Sequence, residues 1–225
     1  AVAACSRPRT ISASRWRELT TLARRAMTEP RSTDAPPKRL SILAICKPTA
    51  SLGEVLASFA PAGNWRTDCV YMRPKEKALG DLFLLRFSEQ PGAQFLVSRG
   101  QVLEAGQEIV PVLEGWRTHA QKNKVSAEGT TYQAGDFVVR HGTLFLNATK
   151  SGTVVEVEAL SSAAAEPGAE RALRNFLDEL LPPEQREFTS SFAVDGFDLP
   201  ATFSRRHAAC QFVSLCRASV LPEDR

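Results

Sequence analysis

The carboxylates of Glu156-Val157-Glu158 are the residues whose type and spacing best suit chemistry in this 225-residue chain. Residues two apart on a β-strand project from the same face, so this pair is close enough to share a divalent cation. In a sheet that closed into a barrel, that face could point inward. The other titratable residues supply no matching set: Arg86 and Arg140 stand isolated in neighbouring runs. His119, His141 and His207 lie far apart beside no obvious partner, which suits surface or satisfied side chains better than a catalyst. There is no Gly-rich phosphate loop, nucleophile elbow or His-Glu-x-x-His helix. Five cysteines (Cys5, Cys46, Cys69, Cys210, Cys216) contain no Cys-x-x-Cys pair, and their odd number speaks against a disulfide framework. Reduced, mostly buried thiols are expected, with no metal site and no cofactor. For Glu156 and Glu158 the expectation is a solvated strand face, not catalysis.

The elements that would carry these residues follow from periodicity. Residues 137–146 are rich in β-branched and aromatic types and are broken once, at Gly142, where a bulge or a close backbone approach is expected. A turn at Lys150-Ser151-Gly152 leads to a second run at 153–160, so the two pair as an antiparallel hairpin. Val155, Val157 and Ala159 then face one side, with Val154, Glu156, Glu158 and Leu160 on the other. Tyr132 and Asp136, flanking Gly135, are expected to hydrogen-bond to each other or to the backbone of the bend and to fix the hairpin's entry.

Upstream, Leu40–Cys46 reads as a strand buried on both faces. Leu52, Val55, Leu56 and Phe59 fall at helical spacing behind Ser51, a candidate N-cap, and Pro61 and Gly63 would stop that helix. Strands are predicted at 65–73, 82–88 and 94–98. Ile109, Val112, Leu113 and Trp116 suggest a helix over roughly 109–121, with Pro111 tolerated in its first turn. Two late helices are predicted. One spans Ala169 to Leu180 and is closed by Pro182-Pro183. The other runs from Ser204 to Ala218, with Ala209, Phe212, Val213 and Cys216 on one face and Arg205, Arg206 and Arg217 opposite. Between them residues 184–200 read as a linker, with Phe192 and Phe197 tucked against the core. Strands early and helices late, without alternating βα units, argue for an α+β class.

Length and composition set the frame. The chain can bury one substantial core; 43% hydrophobic and 24% charged residues are ordinary for a globular protein. No run approaches the roughly 20 apolar residues of a membrane span. Residues 1–26 hold six arginines and one acid, which leaves the remainder at a net charge of −2 although the whole chain carries +3. A basic nucleic-acid face therefore does not follow from the total. Residues 1–39 are expected to be a disordered Arg-rich extension and Pro-containing linker, whether upstream or processed sequence, a transit peptide or a functional arm. Residues 40–220 form the expected single domain.

The string Gly129-x-x-Tyr132-x-x-x-Asp136-Phe137-x-Val139-x-x-Gly142-Thr143, followed by Gly152-x-x-Val155-Glu156-Val157-Glu158, resembles the signature of the Mediator subunit 20 family. That family belongs to the head module of the RNA polymerase II coactivator. Gln211-Phe212-x-x-Leu215 in the last helix is similar to its Gln-aromatic-x-x-Leu ending. The similarity is densest over 116–158, rests on pattern alone over 60–105, and leaves the Arg-rich front foreign. It implies an antiparallel sheet closing toward a barrel, with a central helix and two C-terminal helices packed against it. It also implies a nuclear, non-enzymatic subunit that pairs with head subunit 18, is tethered by a terminal helix of subunit 8, and meets the polymerase machinery indirectly, without a membrane or direct reading of nucleic acid. Gln211, Phe212 and Leu215 become candidate partner-helix residues. The Glu-x-Glu strand also resembles the metal-binding strand of triphosphate tunnel phosphohydrolases, but Leu160 stands where those enzymes place a further acid, and no lysine follows two residues on. A metal-dependent phosphohydrolase and a mitochondrially targeted binding protein are the alternatives, and neither accounts for the 129–158 string.

Overall fold

The computed structural model describes residues 39–47, 50–76, 78–159, 168–200, 202–219 and 221. The expectations for the Arg-rich front, for the linker at 28–38 and for Leu160 and the small polar stretch after it lie outside these residues. Among the described residues nine strands form one sheet: β1 Leu40–Cys46, β2 Ala60–Pro74, β3 Leu82–Phe87, β4 Gln94–Ser98, β5 Gln101–Ala105, β6 His119–Ala134, β7 Phe137–Leu146, β8 Thr149–Ala159 and β9 Arg186–Thr189. Four α-helices accompany them among the described residues: α1 Ala50–Ala57, α2 Ile109–Trp116, α3 Ala169–Leu180 and α4 Arg205–Ser219. The sheet order is β5-β4-β3-β2-β6-β7-β8-β1-β9, and each neighbouring pair is antiparallel.

The α+β class and the antiparallel sheet are as expected. Closure into a barrel is not: the order ends on β5 and β9, which do not pair with each other. The physical reason is α4. It packs against β1 and β9 at one end of the sheet and β4 and β5 at the other, and so takes the place that closing hydrogen bonds would need. The sheet curls round this helix. Its inner face supplies Leu43, Ile45, Trp65, Cys69, Phe83, Phe95, Val125, Leu144 and Val154 to a core completed by Ala209, Phe212, Val213 and Cys216. Removing this much apolar surface from water is the main stabilising term of the fold.

The outer face is covered at its two ends. Over β1, β7 and β8, Ile42, Ala44, Val139, Val155 and Val157 pack under Leu52 and Leu56 of α1 and Leu173 and Leu177 of α3. Over β3 to β5, Leu82, Leu96 and Ala105 pack under Ile109 of α2. β1 is therefore buried on both faces, as its unbroken apolar run predicts.

Several boundaries differ from expectation, each for a tertiary reason. α1 begins at Ala50, so Ser51 falls within its first turn and not at the position before it. α1 ends at Ala57, ahead of Pro61 and Gly63 as expected, and both residues already belong to β2, where the register shifts between them and Gly63 takes φ 125°. α2 stops at Trp116 because Arg117 turns left-handed (φ 50°), and the sixteen-residue β6 starts at His119, within the helix expected to reach 121. Pairing along almost the whole of β2 overrides the weak helical tail of that segment. β5 and β9 carry too little periodicity to be seen in the sequence. The β7–β8 reversal sits at Asn147-Ala148, both with positive φ (47° and 70°), and Lys150-Ser151-Gly152 belongs to β8. Asn147 holds that turn: its Oδ1 accepts from the Lys124 amide at 2.8 Å.

Candidate functional site

β7 and β8 pair so that Arg140 lies opposite Glu156 and Val138 opposite Glu158. Alternation puts Arg140, Glu156 and Glu158 on the inner face together with Val154, beyond the apolar core. Arg140 Nη1 lies 2.6 Å from Glu158 Oε2 and 3.2 Å from Glu156 Oε2, while its Nε is 2.9 Å from Glu89 Oε1. Arg39, just before β1, reaches Glu158 Oε1 at 3.2 Å. Arg205, the first residue of α4, brings Nη2 to 3.5 Å from Glu89 and 4.0 Å from Glu158, with its guanidinium over the Phe87 ring. Five segments of the chain thus meet at one ion cluster.

The expectation of a solvated strand face is overturned. The Glu158 side chain is 2% exposed and that of Glu156 13%. Arg140 is not isolated either; it is the centre of the cluster. Burial alone would raise the Glu158 pKa, but the charges of Arg140, Arg205 and Arg39 outweigh it and hold the carboxyl below its ordinary value. Burial likewise works against the charge on Arg140, and the three glutamates outweigh it. As donors for a divalent cation these carboxylates do not fit: both oxygens of Glu158, and the ion-pairing oxygens of Glu156 and Glu89, face guanidinium groups, which would repel the ion. The arrangement can join segments.

The signature residues separate into distinct roles. Gly129 and Gly142 face each other across β6 and β7. A Cβ on Gly129 would stand 2.1 Å from the His141 carbonyl oxygen, and one on Gly142 would stand 2.3 Å from that of Glu128 and 3.0 Å from the Trp65 ring. The sequence expectation of a close backbone approach at Gly142 is met, and there is no register shift at that position. Trp65 fills the space so kept, its Nε1 directed at the His141 carbonyl at 3.4 Å. Tyr132 and Phe137 pack at the edge of the core under α3, where Phe137 stacks on Phe176 at 4.6 Å. The bend at Gly135-Asp136 is tied by Gln133, whose side-chain amide donates to the carbonyls of Gly135 (2.5 Å) and Phe137 (3.3 Å). Gly152 sits where the β7–β8 register shifts.

Gln211, Phe212 and Leu215 are all buried inside the chain itself. Gln211 Nε2 donates to the carbonyls of Ser41 (3.0 Å) and Ser191 (2.9 Å), and its Oε1 accepts from Ser41 Oγ at 3.3 Å. These side chains are committed to holding α4 inside the sheet, and so are not free to form the surface of a partner helix. The expected one-faced helix is buried beyond that face over 207–213 and 215–216, whereas Arg217 lies exposed over the Phe83 ring.

Two histidines hold local structure. His119 Nε2 is 3.0 Å from the Gly80 carbonyl oxygen, and His207 Nδ1 accepts from the Ser204 amide at 3.1 Å at the start of α4. Burial lowers the pKa of His141 and His207. Cys46, Cys69, Cys210 and Cys216 are free and buried, and burial pushes the thiols of Cys46 and Cys210 up to about 11 and about 12. Sequence reasoning missed Glu89, Arg39 and Arg205 as partners of the Glu-x-Glu strand. The Arg140–Glu156 pairing was out of reach as well: a turn at Asn147-Ala148 alone would set Arg140 opposite Val155, and the register shift between Leu144 and Phe145 brings it opposite Glu156.

These features define a class: an α+β protein whose open antiparallel sheet is plugged by its own last helix. A model of the family described as the TATA-binding related factor (TRF) of subunit 20 of the Mediator complex matches residues 55–216. The chain belongs to this Mediator subunit 20 family. No curated protein matches it. Solved structures similar to it include the Schizosaccharomyces pombe Mediator head module (10% identity, 64% of this chain and 92% of that chain, TM-score 0.39). A Pyrococcus horikoshii OT3 protein, PH1012, is 11% identical over 66% of this chain and 94% of its own, with TM-score 0.43. A putative adenylate cyclase from Vibrio parahaemolyticus is 12% identical over 68% and 95%, with TM-score 0.44.

Proposed function

We propose that this protein is a non-catalytic subunit of the Mediator head module, acting in the nucleus as part of the RNA polymerase II coactivator. In this reading it pairs with subunit 18, and a terminal helix of subunit 8 tethers the pair. The family match over residues 55–216 carries the proposal. The geometry agrees with it: α4 occupies the interior of the sheet, where a tunnel enzyme would hold its substrate, and guanidinium groups neutralise the inner carboxylates. Work by protein contact suits such a molecule better than turnover.

Co-expression with the same organism's subunit 18 and the terminal helix of subunit 8, followed by size-exclusion chromatography, tests the reading. A stoichiometric complex at low micromolar concentration is expected. A monodisperse chain that ignores both partners would sink it.

The alternative, a metal-dependent phosphohydrolase, would need Glu89, Glu156 and Glu158 released from Arg39, Arg140 and Arg205, with which they are paired within the sheet. Metal-dependent phosphate release from a nucleoside triphosphate, abolished by Glu156→Ala, would establish it.

A further inference from the structure

Three candidates compete for a role beyond these. The inner ion cluster has buried polar atoms without hydrogen-bond partners, including Nε and Nη2 of Arg205, but its charges balance and it belongs to the site already described. The half-buried aromatic group of Phe59, Phe137 and Phe176 offers apolar surface, with nothing to specify what covers it. The middle of the sheet's outer face carries more information.

Helices α1 and α3 cover one end of that face and α2 the other, which leaves a transverse strip between them. Register places Arg86 (β3), Asp68 (β2), Ser126 (β6), Phe145 (β7) and Lys150 (β8) in a single row across five strands. Arg66 and Lys124 stand in the rows on either side. Arg66, Arg86 and Lys124 have side chains 46%, 56% and 45% exposed, whereas Asp68 beneath them is only 9% exposed. The three cations converge on that carboxylate at 3.0, 3.2 and 3.3 Å. Glu128, paired with Arg66, is the exposed acid of the group. Beside the row lies an open hollow of about 560 Å³ lined by residues including Asn64, Thr130, Thr143 and Phe145.

We infer that this strip is a docking surface for an acidic segment of another protein, one that lays carboxylates on Arg86, Lys124 and Lys150 and an apolar side chain against Phe145. The inference rests on the reading of the chain as a subunit of an assembly. Asp68 gathers the cations into one fixed group while each keeps about half its surface in water. Such a group is preorganised for further carboxylates, because little side-chain entropy remains to be lost on binding. A peptide fits the strip better than nucleic acid, since the carboxylates of Asp68 and Glu128 interrupt it and would repel a phosphate backbone.

The test uses the full chain and the double variant R86E/K124E. The probe is a fluorescein-labelled peptide alternating Glu with Leu and Phe, read by anisotropy, with the Glu→Gln peptide and a single-stranded DNA of equal charge as controls. Binding by the wild type should weaken about tenfold or more in the double variant and with rising salt, and R86K/K124R should retain it. Thermal melts establish that both variants fold, and Lys150→Glu offers a second disruption should R86E/K124E not. Equal peptide affinity for wild type and R86E/K124E, or tighter binding of DNA than of peptide, overturns the inference. Reconstitution with the head subunits keeps the two proposals apart. A wild-type chain that fails to assemble refutes the subunit reading, whereas assembly without any peptide binding refutes only the docking strip.

Discussion

At the scale of single residues, Glu158 and Asp68 show how the same side-chain chemistry serves opposite faces of one sheet. Glu158 is buried on the inner face against Arg140, Arg39 and Arg205, so removing its charge leaves guanidinium groups desolvated without a partner. Glu158→Gln is expected to destabilise the fold by about 3–5 kcal/mol, measured by urea unfolding at neutral pH. Asp68 titrates differently. Burial pushes its pKa up, but hydrogen bonds from Arg66 and Arg86, with the charges of Arg66 and Lys124, outweigh this and hold it at about 2 against an ordinary 3.8. A carboxylate depressed in the folded state contributes stability that is complete above its unfolded pKa and is lost as pH falls through the folded value. The urea midpoint should therefore drop between pH 3.8 and about 2. Asp68→Asn should be less stable at neutral pH and show a shallower drop across that window.

At the scale of elements, the β6–β7 pair and α4 decide the architecture. The facing glycines at 129 and 142 let two long strands approach over the Trp65 ring, and a methyl group at either site meets backbone atoms that cannot move aside cheaply. Gly129→Ala is expected to cost about 1–3 kcal/mol, read from the chemical-denaturation midpoint, with the β7–β8 hairpin as the region that loses amide protection first. α4 contributes the largest buried aromatic of its face, Phe212, which is 3% exposed. Phe212→Ala should cost about 3–5 kcal/mol and expose the inner sheet face to a hydrophobic dye. The periodicity of α4 was readable in the sequence, and its burial beyond one face was not: a stripe of Ala209, Phe212, Val213 and Cys216 reports one apolar face, whereas His207, Cys210, Gln211 and Leu215 are buried as well, Arg205 is largely covered beside Glu89, and Arg217 stays exposed over the Phe83 ring.

At the scale of the whole molecule, the helix-plugged sheet makes the thiols a reporter of integrity. Cys46, Cys69, Cys210 and Cys216 are buried, and burial raises the pKa of Cys46 and Cys210 to about 11 and about 12. These four should resist a thiol-specific reagent at pH 8 until the chain unfolds, then react together in one cooperative phase; piecemeal labelling in native buffer would show that α4 leaves the sheet. The same architecture explains where a partner is expected. The inner face is filled and both ends of the outer face are covered by helices, so contact with other proteins falls to the remaining outer strip and the sheet edges at β5 and β9.

The amino-acid sequence by itself determined what depends on near neighbours in the chain. It marked the doubly buried β1, the β7–β8 hairpin, both late helices, the close approach at Gly142 and the family string from Gly129 to Glu158, because periods of 2 and 3.6 and glycine positions are local properties. Tertiary structure alone decided what depends on segments far apart. The pairing of β2 with β6 turned 119–121 from a helical tail into the start of a long strand, and α4 entered the curl of the sheet and left it open. It also brought Arg39, Glu89 and Arg205 to a Glu-x-Glu strand that looked solvated. The physical reason is that register and burial are set by which faces meet across the core, and a charged residue shows the same letter whether water or a guanidinium group faces it.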